Sequence, residues 1–217
     1  MIPLRDSTRS RTTPVVVYSL IAASVGAFLY AQGFGSDAAL MTFYERYGAV
    51  PRTVAAGPWP QAWLGLLTSM FLHGSWMHLG GNMLYLWVFG DNVEDAMGHV
   101  GFLVFYLLAG TLAALAHIAT HASSAVPLVG ASGAIAGVLG AYVILYPGAR
   151  ILSVVFFVFL IRLVELPAAL VLSLWFVLQL VQGLATLAAP GIETVAWWAH
   201  VGGFAAGVVL VRVFARR

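Results

Sequence analysis

ILSVVFFVFLIRLV, residues Ile151–Val164, decides the fold. If this run crosses a membrane, every helix after it reverses direction. It falls short of the roughly 20 apolar residues a crossing helix needs, and Arg162, Glu165 and Pro167 close it. It reads as an interfacial segment. Six spans remain around it: Val15–Ala31, Ser75–Asn92, Val100–Thr120, Gly130–Tyr146, Leu166–Ala189 and Val195–Phe214.

Composition makes a membrane the only setting for these spans. Of 217 residues, 61% are hydrophobic and 8% charged, and mean hydropathy is +0.94. A soluble domain cannot cover its surface with so few charges. There is no cysteine, which excludes disulfides, thiolate chemistry and cysteine-based metal sites. The net charge of +2 comes from scattered arginines with no basic stripe, so no nucleic-acid partner is expected.

The first span follows Arg5, Arg9 and Arg11 and resembles a signal peptide. No convincing cleavage site follows it, so it reads as a retained helix. The connection Gln32–Gly74 is long and carries Tyr44, Tyr47, Pro51, Pro58, Trp59, Pro60 and Trp63, residues suited to the membrane–water interface. Its apolar stretch Ala62–Leu72 is too short to span and should lie partly in that interface. Asp91, Glu94 and Asp95 read as an acidic turn after the second span. The domain organisation is then a tail over 1–14, one six-helix domain over 15–214 and a tail over 215–217.

With six spans, Arg5, Arg9, Arg11, Arg150, Arg162, Arg212, Arg216 and Arg217 share one side, and Arg46 and Arg52 the other. The positive-inside rule puts the arginine-rich side and both termini in the cytoplasm. The expected location is a bacterial cytoplasmic membrane.

Ionisable side chains inside spans are costly, so they are candidates for function. His78 and Asn82 are one turn apart on the second helix and share a face. Ser132 opens the fourth helix, within Gly130-Ala131-Ser132-Gly133. His200 lies near the start of the sixth. Helices two, four and six all start from the extracytoplasmic side, which puts the three motifs within roughly 10 Å of one surface at 1.5 Å per residue. A seventh span at Ile151–Val164 would carry His200 to the other end.

These residue types at one depth suit acyl transfer. A serine hydroxyl needs a base to take its proton, and neutral histidine is the usual one. The oxyanion needs donors, which a helix-start N–H and the side chains of Asn82 and His78 can supply. No carboxylate shares that depth, so the expected arrangement is a Ser132–His200 dyad. The glycines also serve packing: Gly130, Gly133, Gly137 and Gly140 line one helix, and Gly203 and Gly207 form a GxxxG pair. His117 and His121 have i, i+4 spacing but no accompanying carboxylate, so no metal site is expected, and no cofactor. His73 is expected to order the interfacial loop.

On these motifs the chain resembles the rhomboid family of intramembrane serine proteases. They are His73-x4-His78-x3-Asn82, Gly90-x3-Glu94-x3-Gly98, Gly130-Ala131-Ser132-Gly133 and Ala199-His200-x2-Gly203-x3-Gly207, and the resemblance covers roughly Val15 to Val213. It implies an all-α membrane protein, a six-transmembrane-helix bundle with a long interfacial first loop. It also implies Ser132 as nucleophile, His200 as general base, and His78, Asn82 and the Ser132 N–H as the oxyanion hole. Glu94 would be a structural acid joining the second and third helices. Substrates would be transmembrane segments of other proteins within the lipid bilayer, cut near the extracytoplasmic surface, and the loop Pro190–Ala196 with helix five would be the gate. Two departures stand out. A Trp-Arg pair common before the first histidine is replaced by Trp63-Leu64-Gly65. The aromatic that some members place four residues after the serine is Ala136, so something else must orient His200. A non-catalytic client-binding relative would lack the serine or the histidine. A transporter would carry midplane acids and broken helices. Nothing in the sequence sets the oligomeric state.

Overall fold

The described residues of Ile151–Val164 lie in two β-strands. The computed structural model describes residues 1–57, 60–157, 160–188 and 195–216, and in it β2 (Arg150–Phe157) pairs antiparallel with β3 (Leu160–Pro167). The run is rich in β-branched and aromatic residues, which suit a pleated, half-buried surface. The third strand is β1 (Ile2–Asp6), with Ile2 opposite Val154 and Asp6 opposite Ile151. This corrects two expectations. The chain is mostly helical but not all-α, and residues 2–6 are a strand rather than a tail.

The sheet turns Pro3, Ile151 and Ser153 inward, where they are buried. Ile161 and Leu163 on β3 face outward at 70% and 64% exposure. The sheet is pinned to the helices through Asp6, whose Oδ2 accepts from Tyr142 Oη–H and from Asn92 Nδ2–H at 3.1 Å.

Among the described residues, the helices that bear on the site form a bundle. They are α1 (Val15–Gln32), α5 (Trp76–Met97), α6 (His99–Thr120), α7 (Ser132–Leu145), α8 (Ala168–Ala188) and α9 (Trp197–Phe214). Four of them, α1, α6, α8 and α9, are long and apolar enough to cross a membrane. Helix α7 has 14 residues, about 21 Å at 1.5 Å per residue, less than the ~30 Å of a bilayer core. It stands inside the bundle, with every residue from Gly133 to Tyr142 buried. Helix α5 continues past Asn92 to Met97, so Asp91, Glu94 and Asp95 are its last turns rather than a separate loop. Leu166 and Pro167, expected to open the fifth span, close β3 instead. Ala189 and residues 190–194 of the expected gate lie outside the described residues.

The described residues between α1 and α5 are structured. It holds α2 (Asp37–Tyr47), α3 (Pro51–Ala55), α4 (Pro60–Thr68) and a 3₁₀ turn over Ser69–Phe71. It also braces the approach to α7. Ala49 and Leu128 exchange backbone hydrogen bonds of 3.0 and 2.9 Å, and the Gly130 N–H donates to Ser69 O at 2.9 Å.

Small residues bring α6, α7 and α9 together. A Cβ on Gly203 would run into the Gly133 carbonyl oxygen, and one on Gly207 into that of Gly137. On the α6 side, Cβ atoms at Gly133 and Gly137 would lie 2.7 and 2.6 Å from those of Ala113 and Ala109. The backbones touch because these positions lack side chains. That contact sets the site, since α7 and α9 carry Ser132 and His200.

Candidate active site

Ser132 is the first residue of α7 and His200 the fourth of α9. With the two helices in backbone contact, Ser132 Oγ and His200 Nε2 are 2.9 Å apart. The loop into α7 makes this possible. Gly130 has φ +130, a conformation that L side chains rarely adopt, and a Cβ there would meet His78 Nε2 at 2.7 Å. A glycine is needed at that position for both reasons. It lets the chain turn into α7 while the His78 ring closes on the Ser132 end of the helix.

Helix α5 supplies the facing wall. Ser75 caps it, accepting from the His78 N–H at 3.1 Å. Asn82 is one turn further and buried, and its Nδ2 has no hydrogen-bond partner among the described residues. A buried amide donor without a partner is rare in a settled structure. Both residues line a cavity of about 540 Å³, together with Ser132, His200, Ala136 and Trp175. His73 is buried behind His78, with ring centroids 5.1 Å apart. Its carbonyl accepts from Tyr44 Oη–H at 2.8 Å, which ties α2 to the start of α5. Burial, with His78 alongside, pushes His73 down to about 4 from its ordinary 6.5.

Residues from three of the four motifs, His78, Asn82, Ser132 and His200, all line one cavity. Glu94 lies 16 positions along α5 from His78, about 24 Å away. It is fully buried and takes the Val16 and Val17 N–H groups at 3.0 and 2.8 Å and His99 Nδ1 at 2.5 Å. Its partners are the first turn of α1 and the start of α6, so it joins three helices rather than two. His117 and His121 stack on each other at the end of α6, ring centroids 4.5 Å apart.

One site residue escaped the sequence reading. Gln179 of α8 is buried, and its Oε1 lies 2.6 Å from His200 Nδ1. Trp175, one turn earlier, sets its ring 5.8 Å from the imidazole at an interplanar angle of 34°. Trp197 meets the imidazole edge-on at 6.2 Å. These groups fill the place left by Ala136. The available signal was that Gln179 and Gln182 are amides inside an otherwise apolar span.

The site is thus a serine and a histidine 2.9 Å apart at the wall of a cavity between helices. The chain belongs to the rhomboid family: the rhomboid domain model matches residues 60–217. It is an integral membrane protein. It is 32% identical over 145 residues to Rhomboid protein 1, mitochondrial, of Saccharomyces cerevisiae, covering 65% of this chain and 39% of that protein. It is 38% identical over 128 residues to Rhomboid protease GluP of Bacillus subtilis, covering 59% of this chain and 24% of that protein. With Rhomboid-like protein 11, chloroplastic, of Arabidopsis thaliana it shares 40% over 76 residues, 35% of this chain and 27% of that one. The chain thus matches less than two fifths of the length of each of these relatives.

Proposed function

We propose that this chain is an intramembrane serine endopeptidase that cleaves transmembrane segments of other membrane proteins. The observation that carries the reading is the 2.9 Å approach of Ser132 Oγ to His200 Nε2 at the wall of a cavity. Membership of the rhomboid family and the printed name of the Bacillus relative point the same way.

In this reading His200 Nε2 takes the Ser132 proton as Oγ bonds to the scissile carbonyl carbon. The oxyanion receives hydrogen bonds from Asn82 Nδ2, from His78 and from the Ser132 N–H. The unpartnered Asn82 amide supports its role, because a donor held ready costs no reorganisation when charge develops. The Ser132 N–H is among the first of α7, which have no acceptor within the helix. His200 then gives the proton to the departing amine as the C–N bond breaks. Water, deprotonated by the same nitrogen, attacks the acyl-enzyme and releases Ser132. A substrate helix hides its carbonyls in hydrogen bonds, so it must unwind locally before attack. His73 steadies the wall behind His78. Gly130, Gly133, Gly203 and Gly207 keep the two reacting residues within reach.

We place α1, α5, α6, α7, α8 and α9 across the bilayer, with the site near the extracytoplasmic surface and both termini in the cytoplasm. The sheet and its arginines Arg5, Arg150 and Arg162 lie at the opposite end of α7 from Ser132, as the positive-inside rule asks. Helices α2–α4 would lie along the outer interface, and a bacterial cytoplasmic membrane is the proposed location.

A fluorophosphonate probe tests the dyad. It should label wild-type protein at Ser132 and fail to label Ser132→Ala or His200→Ala, with both variants still folded by circular dichroism. Cleavage of a transmembrane substrate should follow the same pattern. Undiminished cleavage by purified Ser132→Ala would sink the proposal.

A further inference from the structure

We propose that Gln179 is a positioning residue for His200: its Oε1 accepts the Nδ1–H hydrogen bond and thereby leaves Nε2 free to accept from Ser132. This rests on the serine-protease reading above and adds a residue to it.

A neutral imidazole carries one N–H, and the hydrogen bond made by one nitrogen decides which nitrogen keeps the proton. Gln179 Oε1 sits 2.6 Å from Nδ1 and Ser132 Oγ sits 2.9 Å from Nε2. An amide oxygen only accepts. A proton on Nε2 would set two lone pairs against each other at 2.6 Å and leave Ser132 facing a donor. With the proton on Nδ1, both contacts are satisfied and Nε2 is a base.

The same pair of contacts fixes the ring. Histidine χ2 is broad and roughly two-fold, so the tilted Trp175 ring, 5.8 Å away, restricts the imidazole plane but does not choose between its two flips. A half-turn about Cβ–Cγ would exchange Nδ1 with Cδ2 and Nε2 with Cε1, presenting carbon to both Gln179 and Ser132. The amide thus selects both the flip and the tautomer. It does so without a buried charge, which would be costly at this depth in apolar surroundings.

The position of Gln179 on α8 fits this role. Leu172, Trp175, Phe176, Gln179 and Gly183 recur at helical spacing, and Phe176 and Gly183 touch α9 directly. The Phe176 ring stacks on Phe204 at 4.7 Å, and Trp198 Nε1–H donates to Gly183 O at 3.1 Å. The amide is therefore held between two fixed contacts, one turn apart from each.

The test uses the full-length protein in micelles with selectively ¹⁵N-labelled histidine. His200 is assigned by comparison with His200→Ala, and its tautomer is read from the ring ¹⁵N shifts. Wild type should show Nδ1–H. Gln179→Leu should lose that preference and lower kcat about 10- to 100-fold, the usual loss when the partner orienting a working histidine is removed, with KM little changed. Gln179→Glu, whose carboxylate also accepts from Nδ1–H, should keep the tautomer and retain more kcat than Gln179→Leu, at a cost in stability for the buried charge. An Nε2–H tautomer in wild type would overturn the assignment with no variant needed. So would wild-type kcat in Gln179→Leu. If wild type neither labels with fluorophosphonate nor cleaves, the protease reading fails on its own, and the tautomer still judges Gln179.

Discussion

Removing Glu94 should detach the start of the first helix. Helix α1 begins after Pro14 with no side-chain cap from its own flank, so its first N–H groups look to α5. Glu94 is 0% exposed and takes Val16 N–H, Val17 N–H and His99 Nδ1 on its two oxygens. Glu94→Ala removes the acceptor from all three. The Val17 N–H is buried and the Val16 N–H part-buried, each costing about 1–3 kcal/mol without an acceptor, while the half-exposed His99 can turn to water. The net expectation is a loss of about 2–4 kcal/mol, from the two stranded helix N–H groups. Glu94→Gln is the sharper probe. It keeps the volume, but whichever oxygen becomes NH₂ then faces a helix N–H, so about 1–3 kcal/mol should be lost. The assay is equilibrium unfolding in mixed micelles titrated with a denaturing detergent and followed by circular dichroism. Asp95→Ala is the control: Asp95 accepts from Thr12 only at an exposed site and should cost no more than about 1 kcal/mol. Glu94→Ala within about 0.5 kcal/mol of wild type, the range of an ordinary surface change, would refute the cap.

Asn82→Ala should lower kcat about 10²- to 10³-fold, the cost of one oxyanion donor, with substrate affinity nearly intact; a pure rise in KM would contradict the oxyanion role. For His73, whose pKa falls to about 4 in the folded protein, the ring is neutral in both states above pH about 6.5. Below that the unfolded chain alone takes up the proton, so stability is lost as pH falls from 6.5 towards 4. His73→Asn should flatten that decline in detergent unfolding, and an unchanged slope would count against it. The sheet register is testable because the chain has no cysteine of its own. Ile2→Cys with Val154→Cys should cross-link on mild oxidation, since directly opposed Cβ atoms lie about 4.5–5.5 Å apart. Ile2→Cys with Ser153→Cys, pointing to opposite faces, should not.

The helices that carry Ser132, His200, His78 and Asn82 were legible because apolar runs and the polar residues within them are local signals, although only α9 of the three reaches spanning length and apolarity. Their convergence was an expectation from counting spans, and the count turned on Ile151–Val164. There the sequence supplied length and charge but not conformation. A short, continuous apolar run has no period that separates strand from helix. The strand that completes the sheet, Ile2–Asp6, is remote in the chain and only five residues long. Gln179 was hidden for another reason. An amide in a span carries no charge and pairs with any donor, so its partner is settled only once α8 is docked against α9. Glu94 was seen as a structural acid. Its partners on α1 could not be read, because backbone N–H groups leave no mark in a sequence.

Helix α8 is the least buried of the four helices long and apolar enough to cross a membrane, with 22% of its apolar window inside the protein against 28% to 44% for the others. Leu170, Leu174, Val177, Leu178 and Val181 on it are turned outward, while Gln179 reaches inward to His200. A hydrogen bond of 2.6 Å no longer counts as one after about 1 Å of slip. An outward swing of α8 that widened the cavity for a peptide would therefore release the imidazole in the same movement. Under the proposed function, openness and reactivity would then alternate, with His200 able to act as base only when the helix had returned. In a bilayer crowded with other helices, such an interlock would spare bystanders that touch the open cavity and leave before it shuts.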